Sequence, residues 1–91
     1  MNMDYLKYAS YVHSSMYRER IMNYLSEKEY ATPTTISEAT GLHISHISKV
    51  LKVLSGRGFV ECLNDDARKG RLYHLTELGQ CIVEHLEFLK E

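Results

Sequence analysis

Residues 41–61, GLHISHISKVLKVLSGRGFVE, decide the fold. Apolar side chains recur at Ile44, Ile47, Leu51 and Leu54, with Ser45, His46, Ser48, Lys49 and Lys52 between them. At about 100° per residue the apolar set falls in one sector of a helix. Ser45, Lys49 and Lys52 then point the other way, with His46 and Val53 on the flank. Such a helix docks on a core by one face and offers hydroxyls, imidazole and ammonium groups on the other. It is expected to begin near His43 or Ile44 and to end at Gly56 to Gly58, whose glycines can take the left-handed conformation that closes a helix.

The flanking residues extend the pattern. Upstream, Thr32 precedes Pro33, an N-cap hydroxyl before a proline at the first helical position, where a missing N–H costs nothing. A short helix from about Pro33 to Thr40 should end at Gly41, although Thr35 stands where a complete capping box has Glu or Gln. Short helix, glycine turn, longer helix is the helix-turn-helix layout. Downstream, Phe59 to Leu63 and Arg71 to Leu75 are β-prone runs joined by the turn-prone Asn64 to Gly70, which predicts a hairpin with a basic tip. Thr76 then caps a last helix in which Leu78, Ile82, Leu86 and Leu89 keep helical spacing, with Cys81, His85 and Phe88 as a second stripe. The first twenty-eight residues read as two helices, one apolar set at Tyr5, Tyr8, Ala9 and Val12 and another at Met16, Ile21, Met22 and Leu25. Ser14 and Ser15 supply the break and the cap between them.

The chain as a whole sets bounds. Its 91 residues make one domain, large enough for a single core and small enough for oligomerisation to add to its stability. With 44% hydrophobic and 25% charged residues it has the balance of a soluble globular protein. No apolar run approaches the roughly 20 residues of a membrane span, and no basic-then-apolar leader opens the chain, so the expected compartment is the cytoplasm. Cys62 and Cys81 do not make a disulfide framework and should remain thiols there. The net charge of −1 argues against a nucleic-acid partner, but the charge is polarised. From His43 to His74, Lys49, Lys52, Arg57, Arg68, Lys69 and Arg71 outnumber Glu61, Asp65 and Asp66, whereas from Thr76 to Glu91 four glutamates face only Lys90. No glycine-rich phosphate loop, nucleophile elbow or spaced Ser, His and acid set suggests an enzyme, and no cofactor or metal site is expected.

Five segments carry a resemblance: Ile36 to Leu42, Ser45 to Leu54, Gly58 to Glu61, Leu75 to Gly79, and Asp66-Ala67-Arg68. In their chain order they resemble the winged helix-turn-helix regulators of the ArsR and MarR type, Asp66-Ala67-Arg68 being similar to the Asp-x-Arg element of MarR-type wings. Ser15 to Leu25 is similar to the first core helix of the ArsR type. The resemblance spans roughly residues 15–79. It implies a mainly α fold with a small β-hairpin (α+β) and a winged helix core over 15–75, and the apolar stripes of the flanking segments add helical extensions over 1–14 and 76–91 that are expected to serve dimerisation. It implies a transcription factor, usually dimeric, with a recognition helix at about 43–56 in the major groove and a wing at 64–71 along the backbone or in the minor groove.

The candidate DNA-binding residues are therefore His43, Ser45, His46, Ser48, Lys49, Lys52, Arg68, Lys69 and Arg71. Short hydroxyls near a helix N-terminus let it approach base edges and phosphates closely, and the lysines neutralise phosphates or donate to guanine. Arginines on a hairpin have the reach that a narrow minor groove attracts. Asp66 either orients Arg68 or closes the turn, and His43 stands where these families usually have a small hydroxyl, as a poor cap, a phosphate contact or both. His13 and His74 are expected to be structural or surface residues. Cys81 and His85 share a helix face at a spacing a transition metal can use, but two ligands are not a site, and the paired cysteines of metal-sensing relatives are absent. Packing is the expected role of both, and of Cys62. Tyr5, Leu6, Tyr8 and Val12, together with Leu78, Ile82, Leu86, Phe88 and Leu89, are expected to supply a two-fold interface, which implies a homodimer on a palindromic double-stranded operator. The rival class is a winged helix used as a protein-interaction module without DNA binding.

Overall fold

The structure, a computed structural model, describes residues 3–89. Residues 1, 2, 90 and 91, which the expected terminal segments include, lie outside the described residues, and with them the charges of Lys90 and Glu91. The elements in chain order are α1 (Met3–His13), α2 (Met16–Ser26), α3 (Pro33–Thr40), α4 (Ile44–Gly56), β1 (Val60–Cys62), β2 (Tyr73–Leu75) and α5 (Glu77–Leu86), followed by a 3₁₀ turn at Glu87–Leu89.

Side-chain acceptors set most of the helix starts. Ser15 Oγ accepts the Arg18 N–H at 3.3 Å, Thr32 Oγ1 that of Thr35 at 3.1 Å, and Thr76 Oγ1 that of Gly79 at 3.1 Å. Each relieves an amide that the first turn leaves without a partner. Gly41, at φ 77°, closes α3 in the left-handed conformation and returns its N–H to the Ser37 carbonyl at 2.9 Å.

The core lies where α2, α3 and α4 meet. Helix α4 inserts Ile47, Leu51 and Leu54, all fully buried, against α2, α3 and the start of the hairpin. Each such side chain contributes about 1.5–3 kcal/mol relative to exposure. Helix α5 packs along α1, and Ala9 and Val12 of α1 and Ile82 and Leu86 of α5 are all fully buried in the common core. Val12, Ile82 and Leu86 thus do not supply surface for a second copy, because the core of the chain itself buries them. Phe88 remains 65% exposed.

The hairpin is antiparallel with Val60 opposite Leu75, Glu61 opposite His74 and Cys62 opposite Tyr73. It is shorter than the two β-prone runs. Phe59 is drawn back to α4 by its N–H on the Leu54 carbonyl at 2.9 Å, and the Leu72 N–H donates to Asn64 Oδ1 at 2.7 Å rather than across the ladder. Ala31, just before α3, exchanges two backbone hydrogen bonds of 2.9 Å with Tyr73 and so ties the helix-turn-helix to the wing. Gly79 brings α5 so close to the hairpin that a Cβ there would collide with the Phe59 carbonyl oxygen.

Candidate nucleic-acid interface

The polar face of α4 is open to solvent, with His43, Ser45, His46, Ser48, Lys49 and Lys52 all exposed. His43 caps the helix. Its Nδ1 accepts the Ser45 N–H at 3.3 Å and lies 2.8 Å from the Ser45 hydroxyl. An Nδ1 that accepts an amide leaves the ring proton of a neutral imidazole on Nε2, at a residue exposed at the head of the helix.

Between α4 and the hairpin runs an open cleft of about 840 Å³. Thr32, Pro33 and Thr34 from the start of α3 form one end. Ile44, Ser48, Lys52 and Ser55 line it along α4, and Arg68, Lys69 and Arg71 line it from the wing. The spacing of Ile44, Ser48, Lys52 and Ser55 places them on one edge of the helix. Glu61 and Asp65 also reach the cleft, but Glu61 is taken up by His74 Nε2 at 2.9 Å. The remaining balance on this face is cationic.

The expected residues divide. Ser48, Lys52, Arg68, Lys69 and Arg71 come together in the cleft, whereas His43, Ser45, His46 and Lys49 lie outside its lining. Ser45 and Lys49 follow the neighbouring crest of α4 by helical spacing. His46 turns toward α2, where its Nδ1 meets the Tyr17 hydroxyl at 3.1 Å and its ring lies 5.3 Å from the Tyr17 ring. Arg71 has a second task, since its Nε donates to the Ala67 carbonyl at 2.7 Å and braces the wing. Among the described residues no ion pair joins Asp66 to Arg68. The wing is closed by Asn64, whose Oδ1 accepts the Leu72 N–H and whose Nδ2 donates to the Gly70 carbonyl at 3.2 Å.

Ile44 departs from the helical-wheel expectation: it is 41% exposed rather than buried. It occupies the first turn of α4, where the buried apolar residue is Leu42, just before the helix. Thr32, Thr34 and Ser55 belong to the cleft and were not legible as site residues, because only the packing of α3 against α4 brings them there. Beyond the far end of α4, the Arg57 guanidinium lies 3.7 Å from the Tyr11 ring centroid and that of Arg18 3.8 Å from it. Arg18 also donates from Nε and Nη2 to the Tyr11 carbonyl at 3.0 and 2.7 Å, so the end of α4 is anchored to the α1–α2 corner.

The Cys81 and His85 pair is occupied locally. His85 Nδ1–H donates to the Cys81 carbonyl at 2.8 Å, and its ring packs between Tyr5 at 5.3 Å and Phe88 at 5.7 Å. Among the described residues no three His, Cys, Asp or Glu side chains are grouped to hold a metal ion, and no helix is long and apolar enough to cross a membrane.

No protein-family model and no curated protein matches the chain. Solved structures do match it. A MarR-family transcription regulator superposes with a TM-score of 0.74 at 22% identity, over 84% of this chain and 51% of that one. A mutant MarR from E. coli complexed with operator DNA gives 0.74 at 23%, over 91% and 60%. The AntR antimony-specific transcriptional repressor gives 0.72 at 21%, over 91% and 71%. The chain spans about half the length of the first of these. The arrangement of five helices and a hairpin, with α3 and α4 as the helix-turn-helix and residues 64–71 at the tip of the wing, is the MarR-type winged-helix fold.

Proposed function

We propose that the protein is a cytoplasmic, sequence-specific regulator of transcription that binds double-stranded DNA as a homodimer on a palindromic operator. Helix α4 enters the major groove, Ser45 and Lys49 meet base edges, and the wing residues Arg68, Lys69 and Arg71 lie on the backbone or in the adjacent minor groove. His43, Ser48 and Lys52 contact phosphates on the two sides of the helix, and His46 supports the helix from its flank. The observation that carries this reading is the cleft, where one edge of an exposed helix and three wing cations line a single concavity. A solved neighbour with the same fold is a mutant MarR complexed with operator DNA, which supports DNA as the partner.

The test is a fluorescence-anisotropy titration of the purified protein against its own upstream promoter fragment and a scrambled duplex at two salt concentrations, with the mass in solution measured alongside. Tighter, salt-sensitive binding of a dimer to the promoter is expected. A folded protein that binds neither duplex at low salt would instead point to a protein-interaction module.

A further inference from the structure

Ile44 is an aliphatic side chain on an otherwise hydrophilic edge. Ser48 and Lys52 follow it at successive i+4 positions along the cleft, with Arg68, Lys69 and Arg71 on the wing. The core does not hold it, since Ile47, Leu51 and Leu54 make the buried contacts of α4 while Ile44 stays 41% exposed. Val53, the other exposed aliphatic of this helix, lies outside the cleft and on the opposite flank by helical spacing. Ile44 is thus the one large aliphatic side chain that α4 contributes to the cleft lining.

We infer that Ile44 reads thymine, its side chain meeting the C5-methyl group of one thymine in each half-site. This rests on the DNA-binding reading above and adds a base preference to it. In the major groove the base-pair edges present hydrogen-bond donors and acceptors and a single apolar group, the thymine methyl. A β-branched side chain in a helix has one strongly preferred rotamer, so Ile44 is held ready rather than ordered on contact. Its place in the first turn is also where a recognition helix comes closest to base edges. Ser48 and Lys52, one and two turns further on, supply the polar contacts that fix the register around it.

The experiment exploits a base pair that differs by that methyl alone. A duplex enriched by the protein from a random-sequence pool is resynthesised with deoxyuridine replacing each thymidine in turn, and binding is measured for the wild type, Ile44→Ala and Ile44→Val. At one position per half-site, uracil should weaken the wild type about fourfold, the size expected for one methyl group removed from contact. Ile44→Ala should bind thymine and uracil duplexes equally, and Ile44→Val should keep most of the difference. Equal wild-type binding of thymine and uracil at every position overturns the inference while leaving DNA binding intact, and it needs no variant to fold. Undiminished discrimination by Ile44→Ala overturns it as well. Failure to enrich any duplex overturns the DNA-binding reading itself, and this inference with it.

Discussion

At the head of α4 a ring nitrogen does the work usually given to a hydroxyl. The acceptor lone pair of His43 Nδ1 satisfies the Ser45 amide and leaves Nε2 outside the cap, so capping and the proposed phosphate contact would not compete. The two roles separate by substitution. His43→Asn keeps an acceptor at the N-cap and should leave stability within a few tenths of a kcal/mol, whereas His43→Ala should lower it by about 1 kcal/mol in thermal unfolding. Both should weaken DNA binding; if only His43→Ala does, the ring is a cap and nothing more. Lys49 and Arg68 divide along another line. Lys49→Ala should cost the specific complex about 1–3 kcal/mol if the ammonium meets a base, while Arg68→Ala should weaken all sequences alike and reduce the salt slope by about 1. Titrations on specific and scrambled duplexes across a salt series distinguish these outcomes, and unchanged affinity in both variants would remove α4 and the wing from the interface.

The elements were legible to the extent that their signals are local. Thr32-Pro33, Gly41 and Thr76 mark helix ends by chemistry that acts within a few residues, and the structure places α3, α4 and α5 where those residues predict. What escaped the sequence depends on contacts between distant segments: the exposure of Ile44, the turn of His46 toward Tyr17, the Ala31–Tyr73 bridge, and the two guanidiniums on Tyr11. Helical periodicity assigns a face, but it does not say where the neighbouring helix stops. Gly79 shows how tightly such contacts constrain an element. Alanine there would gain about 1 kcal/mol of helix propensity. The obstacle, however, is a backbone carbonyl, and that carbonyl is pinned by the Thr76 N–H at 3.1 Å. Overpacking of this kind costs about 1–3 kcal/mol and should win. Gly79→Ala is therefore expected to melt several degrees lower, and an unchanged or higher Tm would show that α5 can slide away from the hairpin. The wing depends on a polar clip instead. Asn64→Ala should speed amide hydrogen exchange at Leu72 with only about 1 kcal/mol lost from global stability, and an unaltered exchange rate would mean that Arg71 alone closes the turn.

For the whole molecule, the decisive quantity is how much apolar surface the terminal helices have left after packing on each other. Ala9, Val12, Ile82 and Leu86 are fully buried within the protomer, so a two-fold interface has to rest on what lies outside that seam. The patch formed by Tyr5, His85 and Phe88 is the candidate, with rings 5.3 and 5.7 Å apart and Phe88 exposed over most of its surface. In the proposed dimer the two copies of α4 have to span the roughly 34 Å between successive turns of a major groove, a distance within reach of two protomers each 38 Å along the longest axis. The proposed dimer would double the phosphate contacts of one protomer, and a site with 6–10 of them loses about 10³–10⁵ in affinity between 50 and 200 mM salt. Phe88→Asp places a charge in the proposed seam without touching α4, the wing or the buried core. It should convert the proposed dimer to a folded monomer by sedimentation and roughly halve the salt slope. It should also abolish the preference for two half-sites one helical turn apart, while single half-site binding persists. A Phe88→Asp protein that remains dimeric and keeps its spacing preference would locate the two-fold axis elsewhere on the surface.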